Sequence, residues 1–114
     1  MRLNIINAFF KRNKRGKNIE SITYGQAKRI LSRNEKSILI DVRSTQEYNE
    51  GHLKNAINIP LYELDKRADR ELNDKNTIII LYCQTGNRSM KALELLRNKQ
   101  YKNLYNIEGG LDEI

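Results

Sequence analysis

The sequence of 114 residues contains a single cysteine, Cys83, together with one proline, one histidine and no tryptophan. One cysteine excludes an internal disulfide and any zinc site built on paired thiols, a usage typical of intracellular proteins. No apolar run approaches the ~20 residues that are needed to cross a bilayer. The length allows one domain with one hydrophobic core. We therefore expect a cytoplasmic globular chain, and these absences leave its chemistry open.

The net charge of +7 is distributed unevenly along the chain. Residues 1–18 carry no acidic residue and six basic ones, which are Arg2, Lys11, Arg12, Lys14, Arg15 and Lys17. Residues 19–114 carry 15 basic and 14 acidic residues and are almost neutral. A nucleic-acid-binding domain would spread basic and aromatic residues over a folded face, so this distribution argues against a nucleic-acid partner. It predicts a basic N-terminal extension over residues 1–18 and a domain over residues 19–114.

The extension combines apolar and basic residues. Leu3, Ile6 and Phe10 recur at helical spacing, and the basic cluster follows them. A secretory signal has the opposite order, with its charge before the apolar stretch. One interpretation is an amphipathic helix that makes peripheral contact with an anionic membrane surface. The other is a helix packed on the domain or on a partner, or a partly disordered leader.

From residue 19 onward, short apolar runs alternate with helical patterns, which predicts an α/β fold with helices on the faces of a sheet. The strand at residues 77–81 (TIIIL) is rich in β-branched residues, and residues 37–42 (SILIDV) are apolar in succession, as expected for parallel strands that are covered on both faces. Further strands are predicted at residues 21–22, 56–59 and 104–107. Helices are predicted after the capping residue Thr23, after Pro60 and over residues 88–99, the last with Met90, Leu93 and Leu96 facing inward.

Cys83 follows the strand at residues 77–81 and precedes the helix at residues 88–99. Ligand sites of open α/β sheets lie at the carboxyl ends of strands. Gly86 and Asn87 tolerate positive φ, so the loop can curl its N–H groups inward into an anion cradle, which would lower the pKa of the thiol below its usual ~8.5. Arg88 adds a positive charge at the helix start, where it opposes the helix dipole unless an anion lies nearby. The alternative is an inert buried thiol, but this succession of elements favours a reactive one.

Two motifs stand out within residues 19–114. The first consists of Asp41-Val42-Arg43, Glu47-Tyr48, Gly51-His52-Leu53, Ala56 and Asn58-Ile59-Pro60. The second has the form C-x-x-G-x-R-S and consists of Cys83-Gln84-Thr85-Gly86-Asn87-Arg88-Ser89. They resemble the amino-terminal signature and the active loop of the rhodanese (thiosulfate sulfurtransferase) family. Gly109-Gly110 resembles the closing G-G element, although the tryptophan that often follows is absent. The resemblance implies a rhodanese-like three-layer fold, with a central parallel sheet flanked by helices.

The resemblance also implies a two-step reaction without a cofactor or metal. The catalytic residue Cys83 would take the sulfane sulfur of a small anionic donor such as thiosulfate, hold it as a persulfide and pass it to a thiol or protein acceptor. The substrate-binding residues would be Gln84, Thr85, Gly86, Asn87 and Arg88, with Arg88 binding the anionic donor.

Five further residues are expected to support the loop or the turns around it. Asp41 would hydrogen-bond to the loop, Arg43 would pair with Glu47 at a helix start, and Ser89 would cap the helix that follows the loop. His52, the only histidine, is expected to form a structural turn and to take no part in a Cys–His pair.

Two other functions remain open. Phosphatases and arsenate reductases on this scaffold have a longer gap between cysteine and arginine, whereas four residues intervene here. A non-catalytic or sulfur-delivering binding module is the second alternative, and retention of Cys83 and Arg88 argues against its non-catalytic form. Gln84 gives the loop less positive charge than an arginine or lysine would, so thiosulfate is expected to be a poorer donor than a protein persulfide.

Overall fold

The computed structural model describes residues 11–12 and 18–114. In chain order its elements are β1 (Lys11–Arg12), β2 (Asn18–Ile19), β3 (Ser21–Ile22), α1 (Tyr24–Arg33), β4 (Ser37–Asp41), α2 (Thr45–Glu50), β5 (Ile57–Asn58), α3 (Leu61–Glu71), β6 (Ile78–Tyr82), α4 (Asn87–Asn98), β7 (Asn103–Ile107) and a final 3₁₀ helix (Gly110–Glu113). The predicted amphipathic helix and its membrane contact lie outside the described residues, except that residues 11–12 are extended and pair antiparallel with β2.

Five strands form a parallel sheet in the order β3-β7-β6-β4-β5. The middle strand, β6, is buried at all five of its positions, which explains its uninterrupted run of apolar residues. In the register, Asp41 at the end of β4 lies beside Tyr82 at the end of β6. The carboxyl ends of these two neighbouring strands therefore meet at one edge of the sheet, where Cys83 follows directly.

Helices cover both faces of the sheet, so the predicted α/β fold with a central parallel sheet is confirmed. On one face, α3 and α4 bury Leu64, Ala68, Leu93 and Leu96. On the other face, α1 buries Ala27 and Ile30. The prediction for Met90 is wrong, because its side chain is 39% exposed and Ser89 takes the inward position beside it.

The helix starts follow local capping chemistry. Thr23 caps α1 in a reciprocal capping box with Gln26, as predicted for Thr23. Ser44 and Glu47 form the same arrangement at the start of α2, where a helix start was expected at Glu47 but no helix bounds were predicted. With six residues, α2 is too short to show a clear hydrophobic period. The serine–glutamate spacing was the signal that could have found it.

Within the described residues the longest helix, α4, has 12 residues, so none of these helices has the length and apolar character needed to cross a membrane.

Candidate active site

The loop that carries Cys83 makes a tight turn between β6 and α4. Gly86 is the N-cap of α4 and has a φ of 99°, in the left-handed region that favours glycine. Of the two residues expected to allow such a turn, Gly86 alone adopts a positive φ, while Asn87 begins the helix. The loop packs closely at this point, because a Cβ on Gly86 would lie 3.4 Å from the backbone nitrogen of Gly109.

The sulfur of Cys83 lies inside this turn. The backbone N–H of Gly86 donates to Sγ at 3.1 Å and that of Ser89 at 3.4 Å, and the Ser89 hydroxyl lies 3.4 Å from Sγ. Cys83 is 0% exposed. Burial is the largest single influence on the pKa of Cys83 and raises it, but the hydrogen bonds from Ser89, Gly86 and Thr85 together outweigh burial and lower it below the ordinary value. The loop therefore stabilises a thiolate, as the curled loop of the sequence predicted.

Ser89 contacts the sulfur and does not cap α4. The N-cap of α4 is Gly86, without a side-chain hydrogen bond, so the predicted capping role of Ser89 is wrong. Ser89 is fully buried in the first turn, and its hydroxyl reaches the carbonyl of Gly86 at 3.1 Å and the side chain of Asn106. Asn106 is a residue of the site that was not predicted from the sequence. The signal that could have identified it is an asparagine within the largely apolar strand β7, because a buried polar side chain needs a hydrogen-bond partner.

Arg88 is held by Glu47. Its two terminal nitrogens donate to the two carboxylate oxygens of Glu47 at 2.7 and 3.0 Å. The hydrogen bond from Arg88 is the main reason why the pKa of Glu47 falls to about 2. Glu47 is thus the anion that offsets a cation at the start of a helix. The predicted pair between Arg43 and Glu47 is wrong, because Glu47 pairs with Arg88.

Arg43 instead pairs with Asp41, at 2.8 Å between Nη2 and Oδ2, and both side chains are buried. The same guanidinium donates to the carbonyl of Gly51 at 2.6 Å and reaches Oε1 of Gln84 at 3.4 Å. The expected support from Asp41 to the loop therefore runs through Arg43, which touches the loop at Gln84. His52 lies in a turn, where its ring stacks on Tyr48 and its Nδ1 is 2.9 Å from the Tyr48 carbonyl oxygen.

The final 3₁₀ helix is attached to the loop by its backbone. The N–H of Leu111 donates to the carbonyl of Cys83, and that of Asp112 to the carbonyl of Gln84, each at 3.0 Å. The Gln84 side chain donates to Oδ1 of Asp112 at 2.7 Å. Leu111, which follows Gly110 in the chain, is partly buried and packs against the core. Three other residues were predicted from the sequence to bind the substrate. Of these, Thr85 and Asn87 are exposed and Arg88 is half-buried.

A Ser89→Ala variant tests the origin of the thiolate. We expect the pKa of Cys83 to rise, because the hydroxyl bond that favours the charged form is lost while burial remains. Titration of the thiolate absorbance in the ultraviolet measures it. The pKa of the Cys83 thiol is lower in the folded protein than in the unfolded chain. The contribution of this group to stability is therefore present above the unfolded pKa and is lost as the pH falls through the folded pKa. An unchanged titration in Ser89→Ala would show that the backbone N–H groups alone hold the charge.

Comparison with known proteins gives one family. Residues 23–114 match the family described as "Rhodanese-like domain". The thiosulfate sulfurtransferase PspE of Escherichia coli (strain K12) is 40% identical over 75 residues, which cover 66% of this chain and 71% of that protein. A probable molybdopterin-synthase adenylyltransferase of Porphyra purpurea is 36% identical over 94 residues, which cover 82% of this chain. This chain spans only 24% of the adenylyltransferase, so the match concerns one part of that protein.

The fold also matches a solved structure, that of a rhodanese with anions from Escherichia coli. The TM-score is 0.62 at 37% sequence identity, and the match covers 68% of this chain and 91% of that one. The sheet with its two helical layers is therefore the fold of rhodaneses, in agreement with the family match.

Proposed function

This chain belongs to the family of rhodanese-like domains, and we propose that it is a sulfurtransferase in which Cys83 carries the sulfur. The observation that supports the proposal best is the set of hydrogen bonds around Sγ, which favour the thiolate form of Cys83 at the base of the loop. The similarity to a thiosulfate sulfurtransferase supports the same chemistry.

The proposed reaction has two steps and needs no cofactor. The thiolate of Cys83 attacks the outer sulfur of the donor, which for thiosulfate forms an S–S bond as the bond to the sulfonate sulfur breaks and sulfite leaves with the electron pair. A thiolate or cyanide then attacks the terminal sulfur of the persulfide and returns Cys83 to the thiolate. Charge and atoms balance in each step, and no oxidant or reductant is consumed.

The loop's own groups would serve both states of Cys83. The N–H groups of Gly86 and Ser89 that now point at Sγ would stabilise the thiolate before transfer and the charged persulfide after it. Thr85 and Asn87 are exposed on the outer side of the loop, where they can contact the donor or acceptor. Because Cys83 is fully buried in this state, the terminal sulfur of the persulfide is expected to lie nearer the loop surface than Sγ, within reach of these N–H groups and of an acceptor.

Mass spectrometry of the intact protein tests the proposal. After incubation with thiosulfate or with an alkyl persulfide, we expect a gain of about 32 Da, one sulfur atom, on Cys83. The gain should disappear when cyanide is added, because the acceptor removes the terminal sulfur.

A Cys83→Ser variant is the control and should gain nothing. A folded wild-type protein that gains no sulfur from either class of donor would contradict the proposal and favour a non-catalytic binding module. Hydrolysis of p-nitrophenyl phosphate that depends on Cys83 would instead favour the phosphatase alternative.

A further inference from the structure

The two arginines that the structure places at the loop are each matched by a carboxylate. Arg88 forms a bidentate pair with Glu47, and Arg43 forms one with Asp41. A bidentate pair occupies the guanidinium edge that would otherwise receive an anionic group of a donor. The Arg88–Glu47 pair is accessible to solvent, since the two side chains are 38% and 33% exposed. A donor that reaches the loop therefore meets a neutralised arginine and not a free cation.

A third carboxylate lies at the loop without a cationic partner among the ion pairs of the described residues. Asp112 accepts a hydrogen bond from the neutral amide of Gln84 at 2.7 Å, and its backbone N–H donates to the Gln84 carbonyl. Asp112 is exposed and stays beside Gln84 because these two bonds fix it. We define the rim as five charged side chains that belong to the loop or are linked to it by these hydrogen bonds and ion pairs, namely Asp41, Arg43, Glu47, Arg88 and Asp112.

The rim contains three carboxylates and two guanidinium groups, so its net charge is negative even before the thiolate of Cys83 is added. Charges of one sign around a site repel ligands of that sign and lower their local concentration. Thiosulfate carries two negative charges. A persulfide that is protonated on its terminal sulfur carries none on the reacting group, and its substituent decides the total.

Resting on the proposed function, we propose that Glu47 and Asp112 make this site select alkyl persulfide donors with a neutral or positively charged substituent over dianionic donors such as thiosulfate. In the favoured step the Cys83 thiolate attacks the terminal sulfur of R–S–SH. The S–S bond of the donor breaks, R–S⁻ leaves with the electron pair, and Cys83 keeps the group –S–SH. Apart from any charge on R, the reactants carry one negative charge, on Cys83, and the products carry one, on R–S⁻.

Glu47→Gln is the most informative variant. Glutamine keeps the capping bonds to Ser44, as Gln26 does with Thr23 at the start of α1, so α2 should remain intact. The substitution removes one negative charge and leaves Arg88 with its full positive charge toward the solvent. Asp112→Asn removes a second negative charge of the rim and keeps an acceptor oxygen for Gln84. Glu94→Gln, farther along α4 in an exposed pair with Arg97, changes the net charge equally and serves as the matched control.

The experiment follows single-turnover sulfur loading of Cys83 from four donors. The first is thiosulfate. The other three are the persulfides of 3-mercaptopropionate, 2-mercaptoethanol and cysteamine, whose substituents are anionic, neutral and cationic, respectively. For the wild-type protein we expect the rate to rise in that order. In Glu47→Gln the ratio of the thiosulfate rate to the 2-mercaptoethanol persulfide rate should rise about tenfold, with a smaller rise in Asp112→Asn and none in Glu94→Gln.

Ionic strength provides a second measurement on the wild-type protein. Salt screens repulsion, so loading from thiosulfate should become faster as salt increases, and loading from cysteamine persulfide should not. If the Glu47→Gln ratio is unchanged or falls, or if salt slows loading from thiosulfate, the selectivity proposal is wrong, and Glu47 only positions Arg88. If none of the four donors loads sulfur on Cys83 of the folded protein, the proposed function itself fails.

Discussion

Replacing Cys83 with serine is expected to abolish sulfur loading and to lower sulfur transfer to cyanide by at least ~10³-fold. The loop lowers the pKa of the Cys83 thiol and thereby favours the thiolate, but a serine hydroxyl is a far weaker acid and stays protonated in the same cradle. Its oxygen also cannot store a sulfane sulfur as a persulfide. Steady-state turnover with thiosulfate or with an alkyl persulfide as donor measures the loss.

The serine variant should fold, which makes the result interpretable. Its smaller hydroxyl fits the fully buried position, and it can accept the hydrogen bond that Gly86 now donates to Sγ. Thermal unfolding and circular dichroism check this. A folded Cys83→Ser protein that retains wild-type turnover would show that the sulfur travels by another route and that the loop does not carry the chemistry.

The position of Cys83 could be predicted from the sequence because each step is local. A β-branched run marks β6, and a glycine within the next few residues allows the turn that begins α4. Neighbouring residues therefore decide where the sulfur lies and which N–H groups surround it. The fold class could be predicted for a similar reason, since β4 and β6 are apolar at successive positions, as in parallel strands buried on both faces.

The partner of Arg88 could not be predicted in this way, because Glu47 is 41 positions away in the chain. Arg43 lies four positions before Glu47, a spacing that suggests an ion pair on one helix face. However, α2 has Ser44 as its N-cap, so Arg43 precedes the helix and its side chain turns to Asp41. The contact between Glu47 and Arg88 depends on the order of the sheet, in which β4 lies next to β6.

Ser89 and Met90, which are neighbours in the first turn of α4, are a second case that the sequence alone does not predict correctly. The apolar spacing of Leu93 and Leu96 extends back to Met90, but the inward stripe of α4 contains Ser89 in its first turn. A serine occupies this core position because its hydroxyl contacts Sγ and Asn106. Hydrophobic periodicity cannot identify a polar residue that faces a buried site, so Met90 was assigned to the core in its place.

Gly110→Ala is expected to destabilise the protein by about 2–4 kcal/mol and to lower sulfur transfer at least ~10-fold. Gly110 has a φ of 63°, which strains any residue with a Cβ. The added Cβ would also lie 2.3 Å from the carbonyl oxygen of Cys83 and 2.7 Å from backbone atoms of Gln84. These are backbone atoms of the active loop, so the clash can be relieved only by moving the loop or the final 3₁₀ helix. Chemical denaturation and turnover measure the two effects.

The loss of activity should exceed what the lower stability explains. Moving the final 3₁₀ helix breaks the bonds from Leu111 and Asp112 to the carbonyls of Cys83 and Gln84, which fix the loop around the sulfur. The variant should therefore transfer sulfur slowly even at a temperature where it is fully folded. Gly25→Ala in α1 is the matched control, since its Cβ would meet only Thr23 Oγ1 at 3.8 Å and a helix favours alanine by ~0.5–1 kcal/mol. If Gly110→Ala matched this control in stability and turnover, the loop would not depend on its contact with the final 3₁₀ helix.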